Sequence, residues 1–140
     1  MRSIFLMFLL CLSACSPKTR DLASLASQQL RESNEREESW LHDGKLHFST
    51  ALEWQKASFQ NKRATSSDFL LALNAQGRLA IDISANESLK THSEELARKI
   101  NKEFEIIGPA VDNREKFENQ KVNDAAVLIA SQSGWLKNVM

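Results

Sequence analysis

SANESLKTHSEELARKINKEF, Ser84 to Phe104, is the stretch whose reading decides the fold class. Leu89, Leu96, Ile100 and Phe104 recur at spacings of seven, four and four, with Ala97 beside them. That spacing collects apolar side chains on one face of a helix for roughly five turns and leaves the charged residues on the other. Ser84-x-x-Glu87 has the form of a capping box and predicts the helix start, and Gly108-Pro109 predicts a firm stop. A helix of this kind needs apolar partners, so the rest of the chain is read for faces that would cover it.

Val122 to Ala130 is the most apolar candidate. Asn123 or Asp124 is available as its cap and Gly134 as its stop, and the run Ala125-Ala126-Val127-Leu128-Ile129-Ala130 predicts a helix buried around most of its circumference, the central element. The segment before it reads as polar, with Phe117 alone among charges. Upstream, Thr50-x-x-Glu53 predicts a helix start before Leu52 and Trp54. Thr65-x-x-Asp68 predicts another before Phe69 to Leu73, with Gly77 as its stop, so that two short helices meet near Asn61. Arg78 to Ile83 alternates in the strand period, but a lone strand has nothing to pair with; an extended connector that drops Leu79, Ile81 and Ile83 onto the core is the expectation. Asp43-Gly44 marks a turn between Trp40-Leu41 and Leu46-Phe48. Leu22, Leu25, Ala26 and Leu30 predict a first helix with Asp21 as cap, followed by a mixed charge run over 31–38 read as a solvated helix end or linker.

The chain has 140 residues and is 42% hydrophobic with 4 Gly and 2 Pro, the composition of one folded domain. Its 18 basic residues equal its 18 acidic ones, so no overall field draws it to nucleic acid, and no nucleic-acid partner is expected. The predicted fold is mainly α: a small irregular bundle of four or five helices.

The N-terminal residues have a composition of their own. Arg2 precedes the uncharged apolar run Ile4 to Leu12, and Ser13-Ala14 are small residues in front of Cys15, the layout of a secretory leader. The run is shorter than the roughly 20 apolar residues a spanning helix needs. Leu12-Ser13-Ala14-Cys15 resembles the lipobox of bacterial lipoproteins. That resemblance implies a diacylglycerol thioether on Cys15, cleavage between Ala14 and Cys15, and acylation of the new amino terminus, palmitate being the type of chain expected. Cys11 leaves with the leader, and so does Arg2, one of the 18 basic residues, leaving 17 against 18 acidic ones and a formal charge of −1. With Cys15 alkylated no thiol remains for a disulfide. Ser16 stands where lipoproteins of enteric type carry an aspartate to stay in the inner membrane, which implies the outer membrane in a Gram-negative host. The expected organisation is a signal peptide at 1–14, the lipid anchor, tether and first helix at 15–38, and the helical domain at 39–140.

A second resemblance covers Trp54 to Phe69, Ser88 to Ile100 and Val122 to Trp135. A tryptophan, a basic-Ala-Thr-x-x-Asp-Phe turn, a Leu-Lys helix and a small-residue helix ending in Gly-Trp resemble a group of small uncharacterised bacterial helical proteins, which implies the fold and no activity.

Candidate chemistry is sparse. His42 and His47 are five apart, not the four that suits a helical metal pair, and His92 falls on a polar side of the long helix, so no metal ligand and no cofactor is assigned. No serine sits in a Gly-x-Ser-x-Gly setting and no glycine cluster could cradle a phosphate, so no catalytic residue is assigned. Trp54, Phe59 and Phe69 are read as core, with a ligand groove as the alternative, and Lys62 and Arg63 are the candidate contacts to a partner's carboxylates. The expected function is a lipid-anchored periplasmic binding or accessory module, its partners the membrane and another envelope protein. A cell-envelope hydrolase using His92 or acids of the long helix, and a small-ligand carrier using Trp54 and Phe59, stand as alternatives.

Overall fold

The computed structural model describes residues 24–31 and 40–137 of a chain that divides into two units, Met1–Asn34 and Glu35–Met140. Cys15 with its cleavage site at Ala14, the capping role of Asp21, and all but the first residue of the charge run at 31–38 lie outside the described residues. In the first unit, residues 24–31 form a helix, α1, on which Leu25 and Leu30 are exposed.

The second unit is a helical bundle of α2 (Ala51–Lys56), α3 (Phe59–Ala75), α4 (Asn86–Glu103), α5 (Ala110–Phe117) and α6 (Val122–Gln132). Six helices are thus present among the described residues, one more than expected. α4 packs extensively against both α3 and α6, which touch each other only lightly, while α2 lies against α5. The centre is therefore α4, the helix read from Ser84 to Phe104, and not α6. Its buried face is Leu89, Ser93, Leu96, Ala97 and Ile100, continued by Phe104 at the C-cap. α6 buries Val122, Ala125, Ala126, Ile129 and Ala130 but leaves Val127 and Leu128 exposed, so its apolar run is covered on one side only.

Helix ends show why the chain divides where it does. The Thr50 hydroxyl accepts from the Glu53 amide and the Glu53 carboxylate accepts from the Thr50 amide, the reciprocal box expected there. Ala57 is extended, and Ser58 then caps α3 by accepting from the Asn61 amide at 3.3 Å. α3 runs unbroken for 17 residues through Thr65 and Asp68, so the two short helices meeting near Asn61 are one short and one long. The box expected at Ser84 does not form: Ala85 is the N-cap without a side-chain bond, and the Ser84 amide donates to Asp82 Oδ1 at 2.9 Å in a turn ahead of the helix.

α6 has no side-chain cap either, because Lys121 stands at that place instead of Asn123 or Asp124. Backbone supplies the partner. The Val122 amide donates to Ser49 O at 3.0 Å and the Ala51 amide to Gln120 O at 2.9 Å, so the first N–H of α2 and of α6 each meets the carbonyl ahead of the other helix.

α3 and α6 end alike. Gly77 and Gly134 take φ of 67° and 70°, and the residue after each, Arg78 or Trp135, donates back to Leu73 O or Ala130 O, the Schellman arrangement that only glycine adopts without strain. Both chains leave extended and meet. Ala80 N donates to Trp135 O and Lys137 N to Arg78 O, both at 2.8 Å, around the bridge between Leu79 and Leu136. The connector expected over Arg78 to Ile83 is thus present with Leu79 and Ile83 buried, and it has a partner after all.

Candidate functional site

Thr65 and Asp68 belong to a constellation different from a helix start. Asn61, Thr65 and Asp68 lie at i, i+4 and i+7 on one face of α3, and the extended piece after the Asp43-Gly44 turn lies along that face. Three successive amides donate to them: Lys45 N to Asn61 Oδ1 at 2.9 Å, Leu46 N to Thr65 Oγ1 at 3.3 Å, and Gly44 N to Asp68 Oδ2 at 3.0 Å. A segment without strand partners thereby has its backbone donors satisfied by side chains of a helix. His47 Nε2 also donates to Asp68 Oδ2 at 3.0 Å, with its ring edge-on to Phe69. The approach is close enough that a Cβ on Gly44 would lie 2.3 Å from Thr65 Cα and N, and Asp43 takes φ 68° to bring the turn in.

Lys62 and Arg63 are met within the chain. Lys62 is 9% exposed with its ammonium 5.7 Å from the centre of the Trp54 ring, and burial holds its pKa below the usual 10.5. Arg63 Nη1 donates to Glu94 Oε1 at 2.9 Å and its guanidinium stacks 5.3 Å over Trp40, which joins α3 to α4 and to the N-terminal edge of the bundle. Neither stands out as a cation toward solvent.

Trp54 is fully buried, its indole donating to Asn101 Oδ1 at 3.0 Å, so it is a core anchor, while Phe59 is 43% exposed. Trp40 and Trp135 seal the core at its edges, 5% and 7% exposed. His92 is half-buried: its Nδ1 lies 2.8 Å from Ser88 O, which places the proton on that nitrogen, and its ring meets Trp135 edge-on. His42 is exposed and, with Asp43, lines a shallow depression at the Gly44 turn. Among the described residues no group of three His, Cys, Asp or Glu is placed to hold a metal ion, and no helix is long and apolar enough to cross a membrane.

The largest concavity described lies between α2 and α5, a cleft of about 550 Å³ lined by Leu52, Gln55, Lys56, Ile106, Gly108, Ala110, Asn113 and Arg114. Its floor is a clasp of two amides. Gln55 Nε2 donates to Asn113 Oδ1 at 3.1 Å and to Phe104 O at 3.0 Å; Asn113 Nδ2 donates to Gln55 Oε1 at 2.9 Å, and Ile107 N donates to Asn113 Oδ1 at 3.2 Å. Ile106 and Val111 are 66% and 64% exposed at this end of the bundle. Both ionisable lining residues, Lys56 and Arg114, are cations, whereas each of the smaller depressions described mixes signs. Three of the eight lining residues, Ala110, Asn113 and Arg114, belong to α5, the helix not foreseen. The signals were Pro109, which favours a helix start, and Ala110, Asn113 and Phe117 at spacings of three and four.

Comparison with protein-family models, with curated proteins and with solved structures finds no match.

Proposed function

We propose that the protein is a bacterial lipoprotein, a helical binding or accessory module of the cell envelope held on the periplasmic side of a membrane by acyl chains on Cys15 and acting on another envelope protein. The observation that carries this reading is the order of three signals in one short stretch: Arg2, the apolar run Ile4 to Leu12, and Leu12-Ser13-Ala14-Cys15. Acyl chains contribute about 0.8 kcal/mol per buried CH₂, and two or more hold a protein stably where one holds marginally. A thioether-linked diacylglycerol supplies two, and an acylated amino terminus a third. Ser16 favours the outer membrane if the host is Gram-negative.

Cell fractionation of the wild type beside Cys15→Ser tests the reading. The wild type is expected with membranes and the variant in the soluble periplasmic fraction or retained as precursor. A wild type that is itself soluble, or a cleaved Cys15→Ser protein that stays with membranes, contradicts it.

A further inference from the structure

We propose that the cleft between α2 and α5 is a binding site for a single-chain anionic amphiphile, an acyl chain with a carboxylate or phosphate head. The inference goes beyond lipid anchoring and stands without it. It rests on the juxtaposition of an apolar wall, an internally satisfied polar floor and two cations.

A volume of about 550 Å³ falls among small-ligand sites, which run from roughly 300 to 1,000 Å³. Leu52, Ile106 and Ala110 offer apolar surface, and Ile106 is left 66% exposed with nothing in the described chain to cover it. The floor decides between an acyl chain and a peptide. Both N–H groups of Gln55 Nε2 are engaged and Asn113 Oδ1 already accepts twice, which leaves one Asn113 N–H and one Gln55 lone pair. A peptide brings an N–H and a C=O with every residue and would leave most of them unpaired. A polymethylene chain brings none. The head is assigned by charge: Lys56 forms no salt bridge among the described residues, and Arg114, largely exposed, meets Glu118 in a long i,i+4 pair, Nε to Oε2 at 3.7 Å, which leaves its guanidinium accessible to an oxyanion. Two carboxylates border the cleft: Glu53, which feels the charge of Lys56 but is held on the Thr50 amide and hydroxyl, and Asp112, in the first turn of α5, whose Oδ2 would lie 3.5 Å from a Cβ on Gly108.

The test titrates the full 140-residue chain with decanoate below its micellar concentration, following the side-chain amide signals of Gln55 and Asn113 by NMR, beside acetate, decanol and an uncharged apolar decapeptide. Decanoate is expected to move both signals, with the three other probes at least tenfold weaker. Lys56→Gln and Arg114→Gln, both exposed and so neutral to folding, are each expected to weaken decanoate roughly three- to tenfold, and Ile106→Ser likewise, with unchanged melting temperatures. Decyl phosphate replaces decanoate in a second titration, and whichever binds more tightly identifies the head. Unmoved amide signals, variants that bind like the wild type, or a decapeptide or decanol that binds as well as decanoate would overturn the proposal.

Discussion

Gly44 is the residue at which the packing tolerates least. Any side chain there meets the α3 backbone at 2.3 Å, and backbone, unlike a flexible side chain, cannot give locally. Gly44→Ala is expected to destabilise the protein by roughly 3 kcal/mol, the upper range for a single substitution, measured by urea unfolding. Asp68 accepts two bonds, from Gly44 N and His47 Nε2, and hydrogen bonds to a charged group are worth about 1.5–3 kcal/mol each. Asp68→Ala is expected to cost about 2–3 kcal/mol and to speed hydrogen exchange at Gly44, while Asp68→Asn recovers part of the loss. Lys62 behaves in the opposite sense. Its pKa is lowered in the folded state, so the unfolded chain binds more protons as pH approaches 10.5, and stability rises with pH through that window. Lys62→Met is expected to be as stable as the wild type or more so at pH 7 and to lose that alkaline rise, read from melting temperatures between pH 7 and 10.5. None of these roles is visible residue by residue in the sequence. Asn61, Thr65 and Asp68 at helical spacing are a polar stripe, and a polar stripe reads equally as solvent-facing or as a start signal; what separates the readings is the segment that arrives from 21 to 24 residues away in the case of Asp68.

The legible helices are those whose buried residues repeat. α4 shows five buried positions in register, and Gly77 and Gly134 mark ends that the backbone confirms with left-handed φ. α5 was hidden because only Phe117 of its spaced residues is buried, with Asn113 polar and half-buried and Ala110 exposed, so its period is faint. The same fact makes it fragile. Phe117 packs edge-on to Phe104 at 5.9 Å and, with the Gln55–Asn113 clasp, holds the helix to the bundle. Phe117→Ala is expected to cost about 3–5 kcal/mol and to raise hydrogen exchange across Ala110–Phe117 more than in α4. α2, of six residues, leans on its cap instead. The bond from the Thr50 amide to Glu53 holds that carboxyl below its usual 4.5, so the contribution of the box is present above the ordinary glutamate range and is lost as pH falls through the lowered folded value. Thr50→Ala is expected to cost about 1 kcal/mol at pH 7, and Glu53→Gln to flatten the loss of stability below pH 4.5, both followed by circular dichroism.

At the scale of the whole molecule, the mainly helical bundle followed from period and punctuation, whereas its centre did not. α6 carries the most apolar sequence, yet α4 packs more extensively against its neighbours, because position in a bundle depends on how much of a helix is covered and not on how apolar one face is. The cleft between α2 and α5 was illegible for a related reason: its walls come from segments 50 or more residues apart in places, brought together by the Gln55–Asn113 pair. The proposed location rests on a separate signal altogether, the lipobox-like stretch ending at Cys15. Mass spectrometry of the protein isolated from membranes is the most direct measurement of that claim. The N-terminal peptide is expected to begin at Cys15 and to carry diacylglycerol with an acylated amino group; an unmodified Cys15 thiol, or an N-terminal peptide that still contains Ala14, contradicts lipid anchoring.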